Sequence, residues 1–213
     1  MILQKEKIYR LIRKLDLSIK NPKTSLKYRN QFTLLISVLL SAQCTDVNVN
    51  NVTRNIYKKY YQPEHFLKLR INKIKKLIKN IGLFNIKAKN IYNLSKILIK
   101  KYKGNIPKTF DELIQLPGVG RKTANVVLNA AFHKATIAVD THVFRVSNRT
   151  GLTQGKDPKQ VEEQLLKNLP IKYLKKAHHL ILLHGRYICK ARNPLCKKCV
   201  INNLCKYKNK NYE

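Results

Sequence analysis

Residues 109–132 read Thr109-Phe110-Asp111-Glu112-Leu113-Ile114-Gln115-Leu116-Pro117-Gly118-Val119-Gly120-Arg121-Lys122-Thr123-Ala124-Asn125-Val126-Val127-Leu128-Asn129-Ala130-Ala131-Phe132, and this stretch decides the fold. Thr109 with Glu112 three positions on is a capping box, the signature of a helix start. Pro117 stops that short helix, and a second one is expected from Arg121 to about Phe132. Gly118 and Gly120 between them allow backbone angles closed to other residues and let a ligand come close to the main chain. The N–H groups that open the second helix lack partners inside it, and the helix dipole there favours an anion. A turn of this kind suits one phosphate of a nucleic-acid backbone and reads no base sequence. Gly120-Arg121-Lys122-Thr123 looks superficially like a nucleotide-binding P-loop. That motif, however, needs Gly directly before Lys and a preceding strand, and a helix precedes this turn.

The periodicity on either side is helical as well. Ile8, Leu11, Ile12 and Leu15 define one amphipathic helix, ended near Asn21-Pro22. Phe32 to Ala42 is apolar nearly all round, which places it at the centre of a core. Ile71, Ile74, Leu77 and Ile78 mark another helix, and Ile91, Leu94, Leu98 and Ile99 one more. No window alternates as a strand does, so the fold class is all-α with many short helices. The longest apolar run, Phe32 to Leu40, is far below the roughly 20 residues of a membrane span, and the N-terminus has no signal-peptide core. A cytoplasmic, nucleoid-associated protein is therefore expected.

With 44 Lys and Arg against 11 Asp and Glu in 213 residues, the formal net charge is +33. Such an excess attracts polyanions, and phosphates neutralised by Lys and Arg release condensed counterions. The chain is also rich in Ile, Lys and Asn throughout, as an AT-biased genome would make it, so charge alone says nothing about chemistry. The acids are unevenly placed: between Leu113 and Lys156 the only one is Asp140, inside Thr136-Ile137-Ala138-Val139-Asp140. A carboxylate so isolated is a candidate catalytic group. It is equally a candidate helix N-cap, and the two roles are compatible.

Cys189, Cys196, Cys199 and Cys205 follow the spacing C-x6-C-x2-C-x5-C. Four thiolates in so short a span match a four-coordinate metal or an iron–sulfur centre, and spacing alone leaves zinc and iron–sulfur open. Cys44, with no cysteine near it in sequence, reads as a small buried residue.

Taken together and in order, several motifs carry a resemblance that covers nearly the whole chain. They are Leu39-Leu40-Ser41-Ala42-Gln43 with Thr45-Asp46, then Ile81-Gly82-Leu83 and Leu116 through Leu128. Val139-Asp140-Thr141-His142-Val143-Phe144-Arg145-Val146, His184-Gly185-Arg186 and the four cysteines complete the set. By these motifs the sequence resembles the endonuclease III family of the helix-hairpin-helix superfamily, DNA glycosylases with lyase activity. The resemblance implies two all-α domains: a six-helix barrel over 23–134, containing the hairpin at about 109–132, and a cluster domain made of 1–22 with 135–213. It implies a 4Fe–4S cluster on Cys189, Cys196, Cys199 and Cys205, which decides between iron–sulfur and zinc. It also implies that duplex DNA is held by Gly118, Gly120, Arg121 and Arg145, while Gln43 and Leu83 fill the gap left by an extruded nucleotide. The expected species is a monomer.

The chemistry that the resemblance implies suits these residue types. Lys122 attacks C1′ of the deoxyribose, displaces the base and forms a Schiff base. Only the neutral amine attacks, so the lysine pKa has to fall below its ordinary value of roughly 10.4, and burial by the hairpin and the charge of Arg121 are expected to lower it. Asp140 stabilises positive charge developing on the sugar and helps manage the lysine's proton. The implied substrates are oxidised or ring-saturated pyrimidines such as thymine glycol, and abasic sites. A non-catalytic DNA-binding module with a structural metal explains the charge, the hairpin and the cysteines, but it leaves Lys122 and Asp140 unexplained. The adenine-removing and mismatch-thymine relatives lack a lysine at the hairpin position, so Lys122 separates a lyase from pure glycosylases. Cys44 and the unusually large basic excess are departures from the usual family pattern.

Overall fold

A computed structural model describes residues 2–212, and among them there is no strand. Ten α-helices follow in chain order: α1 Lys5–Ser18, α2 Gln31–Leu40, α3 Asp46–Lys59, α4 Pro63–Leu77, α5 Phe84–Tyr102, α6 Phe110–Ile114, α7 Arg121–Phe132, α8 Thr141–Thr150, α9 Pro158–Asn168 and α10 Ile171–Tyr187. None is long and apolar enough to cross a membrane. The chain divides into two compact units, one of residues up to Thr24 together with those from His133 onward, the other of Ser25–Phe132.

In the Ser25–Phe132 unit, every residue of α2 from Phe32 to Leu40 is buried, as its all-round apolar sequence requires. The helix starts where Asn30 accepts the N–H of Thr33 at 2.9 Å while the Thr33 hydroxyl accepts the N–H of Asn30, also at 2.9 Å. Helices α3, α5 and α7 pack against α2, and α4 pairs with α5. Phe66 of α4 meets Phe32 edge to face with ring centroids 5.5 Å apart. α4 is broken at Arg70, whose φ of 54° and ψ of 168° are not helical. α6 and α7 pack against one another as the two arms of the hairpin.

In the other unit, the buried face of α1 is Ile8, Leu11, Ile12 and Leu15, the four positions at helical spacing. That face joins Val143 and Val146 of α8, Val161 and Leu165 of α9, and Leu180 and Ile181 of α10 in one apolar cluster. α8 and α10 approach closely at Gly185, where a Cβ would stand 3.0 Å from both His142 Cβ and Val146 Cγ2. After α10 the chain forms a loop with two short 3-10 turns, Cys196–Lys198 and Asn202–Leu204.

Candidate active site and nucleic-acid interface

The hairpin forms as its sequence dictates, and the structure divides the work of its two glycines. The Thr109 side chain accepts the N–H of Glu112 at 3.3 Å, and its hydroxyl donates to the Glu112 carboxylate at 2.5 Å. Gly118 has a φ of +78°, and a Cβ there would stand 2.6 Å from Asn90 Nδ2 and 3.0 Å from Leu39 Cδ1. Gly118 is thus required by backbone angle and by packing alike. Around Gly120 an added Cβ would meet nothing within 4 Å, so the main chain is open to approach there. The Gly120 carbonyl accepts from Ala124 at 3.0 Å and opens the hydrogen-bond ladder of α7. The N–H groups of that first turn, on Arg121, Lys122 and Thr123, point out of the helix end by geometry. The Arg121 guanidinium lies over the Phe110 ring, 5.0 Å from its centroid.

Lys122, the second residue of α7, is exposed and makes no hydrogen bond or ion pair with described residues. This corrects the expectation that the hairpin buries it. A side chain at the second helical position projects outward from the helix start, and here no apolar residue closes over it.

Asp140 occupies the N-cap of α8, and one of its oxygens does the capping. Its Oδ1 accepts the N–H of Val143 at 2.8 Å and that of His142 at 2.9 Å. Oδ2 accepts from no described residue, and the side chain is half-buried. Capping therefore fixes the orientation of the carboxylate and leaves one oxygen uncommitted among the described residues. The segment before it is held firmly: Ile137, Ala138 and Val139 are buried, and His178 Nδ1 pairs with the Ala138 carbonyl at 2.7 Å. The rings of His178 and His179 lie edge to face, 4.8 Å between centroids. Burial pushes His179 down to about 3, helped by the charges of His178 and Arg186.

Gln43 and Leu83 share an unusual backbone: both are exposed, and both take the left-handed conformation, with φ of 54° and 59°. For a non-glycine residue this conformation is strained and needs support from its surroundings. Their loops are neighbours within one unit. A Cβ at Gly82 would stand 3.6 Å from the Gln43 carbonyl, and Asn48 Nδ2 donates to the Asn80 carbonyl at 3.0 Å.

Arg145, expected at the DNA, has its guanidinium engaged within its own unit. Nε and Nη2 donate to the Cys189 carbonyl at 3.1 and 3.0 Å, Nη2 also reaches the Gly185 carbonyl at 3.0 Å, and Nη1 reaches that of Thr141 at 3.4 Å. One helical turn on, Arg149 donates to the carbonyls of Lys190 and Ala191 at 2.7 and 2.9 Å and lies 4.4 Å over the Tyr207 ring. The two arginines thus fasten the start of the cysteine loop to α8. Their i, i+4 spacing puts both on one helix face.

Cys189, Cys196, Cys199 and Cys205 all line one pocket, whose other walls include Ile188, Leu195 and Ile201. Yet among the described residues no three His, Cys, Asp or Glu side chains converge as a single ion needs. A mononuclear zinc site brings four sulfurs to about 2.3 Å from one point. A polynuclear cluster takes one thiolate at each of several irons and holds the sulfurs further apart around a shared space. The four thiols share this pocket, a donor set that either kind of site draws on. Burial, with the neighbouring thiols adding to it, pushes Cys199 up to about 11, and burial raises Cys205 as well. Metal binding by these thiols is therefore accompanied by proton release.

Residues 36–170 match the model of the HhH-GPD superfamily of base excision DNA repair proteins. The chain is 57% identical over 187 residues to endonuclease III of Rickettsia conorii, covering 88% of this chain and 89% of that protein. It is 48% identical over 208 residues to endonuclease III of Escherichia coli K12, covering 98% and 99%. Among solved structures, a trapped endonuclease III–DNA covalent intermediate, an estranged-adenine complex, superposes with a TM-score of 0.91 at 43% identity, covering 96% of this chain and 97% of that one.

Proposed function

Because this chain belongs to the endonuclease III family of base-excision repair enzymes, which are DNA glycosylases and abasic-site lyases, we propose that it removes oxidised pyrimidines such as thymine glycol and cuts the strand through Lys122. The target nucleotide has to leave the duplex first, which costs a few kcal/mol and less where damage has weakened stacking. Gln43 and Leu83 fill the gap. The open main chain at Gly120, the α7 N-terminus and Arg121 hold a backbone phosphate, while Gly118 shapes the turn.

Lys122 then attacks C1′ as the neutral amine, and the bond from C1′ to the base breaks. Asp140 offers its uncommitted Oδ2 to the positive charge that develops on the sugar as the base departs. Opening of the C1′–O4′ bond leaves an iminium between Lys122 Nζ and C1′. That iminium acidifies C2′; loss of a C2′ proton expels the 3′-phosphate, and the strand is cut by β-elimination. The four cysteines would hold a 4Fe–4S cluster, and Arg145 and Arg149 fasten the start of that loop to α8. The enzyme works as a monomer on double-stranded DNA carrying an oxidised pyrimidine or an abasic site, in the cytoplasm at the nucleoid.

One observation carries this reading: the lysine at the start of α7 is exposed and uncommitted, in a chain closely related to a family that includes a trapped covalent DNA intermediate. Borohydride trapping on abasic DNA tests it. Wild-type protein forms a covalent adduct and Lys122→Gln does not; an equal adduct from the variant overturns the assignment.

A further inference from the structure

Lys87 is a charged side chain placed where apolar ones are expected. It stands in the first turn of α5, is only 5% exposed, and its Nζ donates to the carbonyls of Leu40 at 2.9 Å and Ala42 at 2.6 Å. Those carbonyls belong to the end of α2 and to the turn that delivers Gln43. The backbone N–H of the same residue donates to the Leu83 carbonyl at 3.0 Å. One residue thus holds, by its ammonium, the loop that carries Gln43 and, by its main chain, the loop that carries Leu83. Both exposed tips sit in the strained left-handed conformation, which persists only where the surroundings determine it.

The carbonyls that end a helix usually turn to water or to a local cap. An ammonium taken out of water for the purpose is a costly alternative, because burial disfavours the charged form and lowers the Lys87 pKa. A neutral donor would satisfy the carbonyls as well. What the long charged stem adds is a fixed separation between the two loops, set by two short charge-assisted bonds. We propose that Lys87 is a positioning residue for nucleotide extrusion, holding the Gln43 and Leu83 loops at the spacing needed to enter the duplex together; this rests on the gap-filling role given to those two residues above.

The test compares duplex with single-stranded DNA, since a loop-spacing residue matters only where there is a base stack to open. For Lys87→Met, single-turnover release of thymine glycol from a duplex falls by about 10- to 100-fold, the scale of a small misplacement at a reacting centre. Borohydride trapping on a single-stranded oligonucleotide with a preformed abasic site stays within about twofold, as chemistry that needs no extrusion would. Lys87→Arg, which keeps the charge and the donors, recovers part of the duplex rate. A Lys87→Met protein that loses both reactions equally, or neither, overturns the proposal. Should Lys87→Met not fold, Asn48→Ala removes the tie to Asn80 without touching the buried charge and has to show the same selective loss, only smaller; an unselective loss or none overturns it. The fluorescence of 2-aminopurine opposite the lesion reports extrusion without chemistry, and its rise on binding has to be smaller for the variant than for wild type. A wild-type protein that unstacks 2-aminopurine but never traps overturns the Lys122 chemistry and leaves the loop spacing supported.

Discussion

Asp140 Oδ1 stands 2.8 Å from the backbone nitrogen of Val143 and caps α8, while Oδ2 is left without a partner among the described residues. The cap and the catalytic role proposed for Asp140 therefore fall to different oxygens of one carboxylate, and substitutions can separate them. Asp140→Asn keeps an oxygen at the capping position, so its melting temperature stays close to that of wild type. Its rate of base release falls by about 100-fold or more, as expected for loss of a group acting on charge in the transition state. Asp140→Ala loses the cap too, and thermal or urea unfolding then shows an additional loss of about 1 kcal/mol. Equal melting of the Asn and Ala variants would contradict the capping geometry.

The hairpin glycines give a second separation. Gly118→Ala forces a Cβ to within 2.6 Å of Asn90 Nδ2 at a φ of +78°, so the Ser25–Phe132 unit loses stability. The expected loss is about 1–3 kcal/mol, as for other overpacked positions. Gly120→Ala meets nothing within 4 Å and leaves unfolding unchanged to within about 0.5 kcal/mol. Its effect is confined to DNA: the methyl group occupies the approach to the backbone, and the dissociation constant for an abasic duplex rises. Fluorescence anisotropy measures it, and a Gly120→Ala protein that binds as wild type removes Gly120 from the phosphate site.

How much of this was legible beforehand depends on what kind of signal each residue sends. The buried face of α1 is the one its spacing marks, and α2 is buried all round as its composition requires. The hairpin could be read because capping and turn residues act locally. The break at Arg70 and the left-handed backbone of Gln43 and Leu83 could not, because arginine, glutamine and leucine carry no intrinsic preference for those angles. Tertiary contacts impose them. Lys87 and Arg149 look like solvated charges in a chain with 44 Lys and Arg, and only the fold shows main-chain carbonyls gathered around each. Lys122 fails the other way: a catalytic lysine was expected to be buried, and it lies open.

The cysteine loop yields a prediction about metal content. Anaerobically purified protein is brown and holds about four irons per chain, with no stoichiometric zinc. Cys199→Ser loses the colour and most of the iron, because an alcohol is a poor substitute for a thiolate at iron. Arg149→Met leaves the four thiols in place but frees the carbonyls of Lys190 and Ala191, so iron is retained initially and released faster to a chelator. Absorbance near the cluster band with time measures that rate; a zinc-loaded, colourless wild-type protein would refute the cluster.

Acid stability follows from His179. Burial holds its folded pKa at about 3, against an unfolded value of 6.5. A group whose folded pKa is lowered contributes stability that is fully present above the unfolded pKa, because there both states are neutral. Below pH 6.5 the unfolded chain binds a proton that the folded chain refuses, and stability falls as pH drops toward 3. The slope from this one residue approaches about 1.4 kcal/mol per pH unit. Replacing it by a neutral side chain of similar size, His179→Leu, removes that part of the slope. Urea unfolding of the two proteins at pH 7, 6, 5 and 4 therefore gives free-energy differences that change steadily in favour of the variant as pH falls. Parallel curves would show that His179 is protonated in the folded protein.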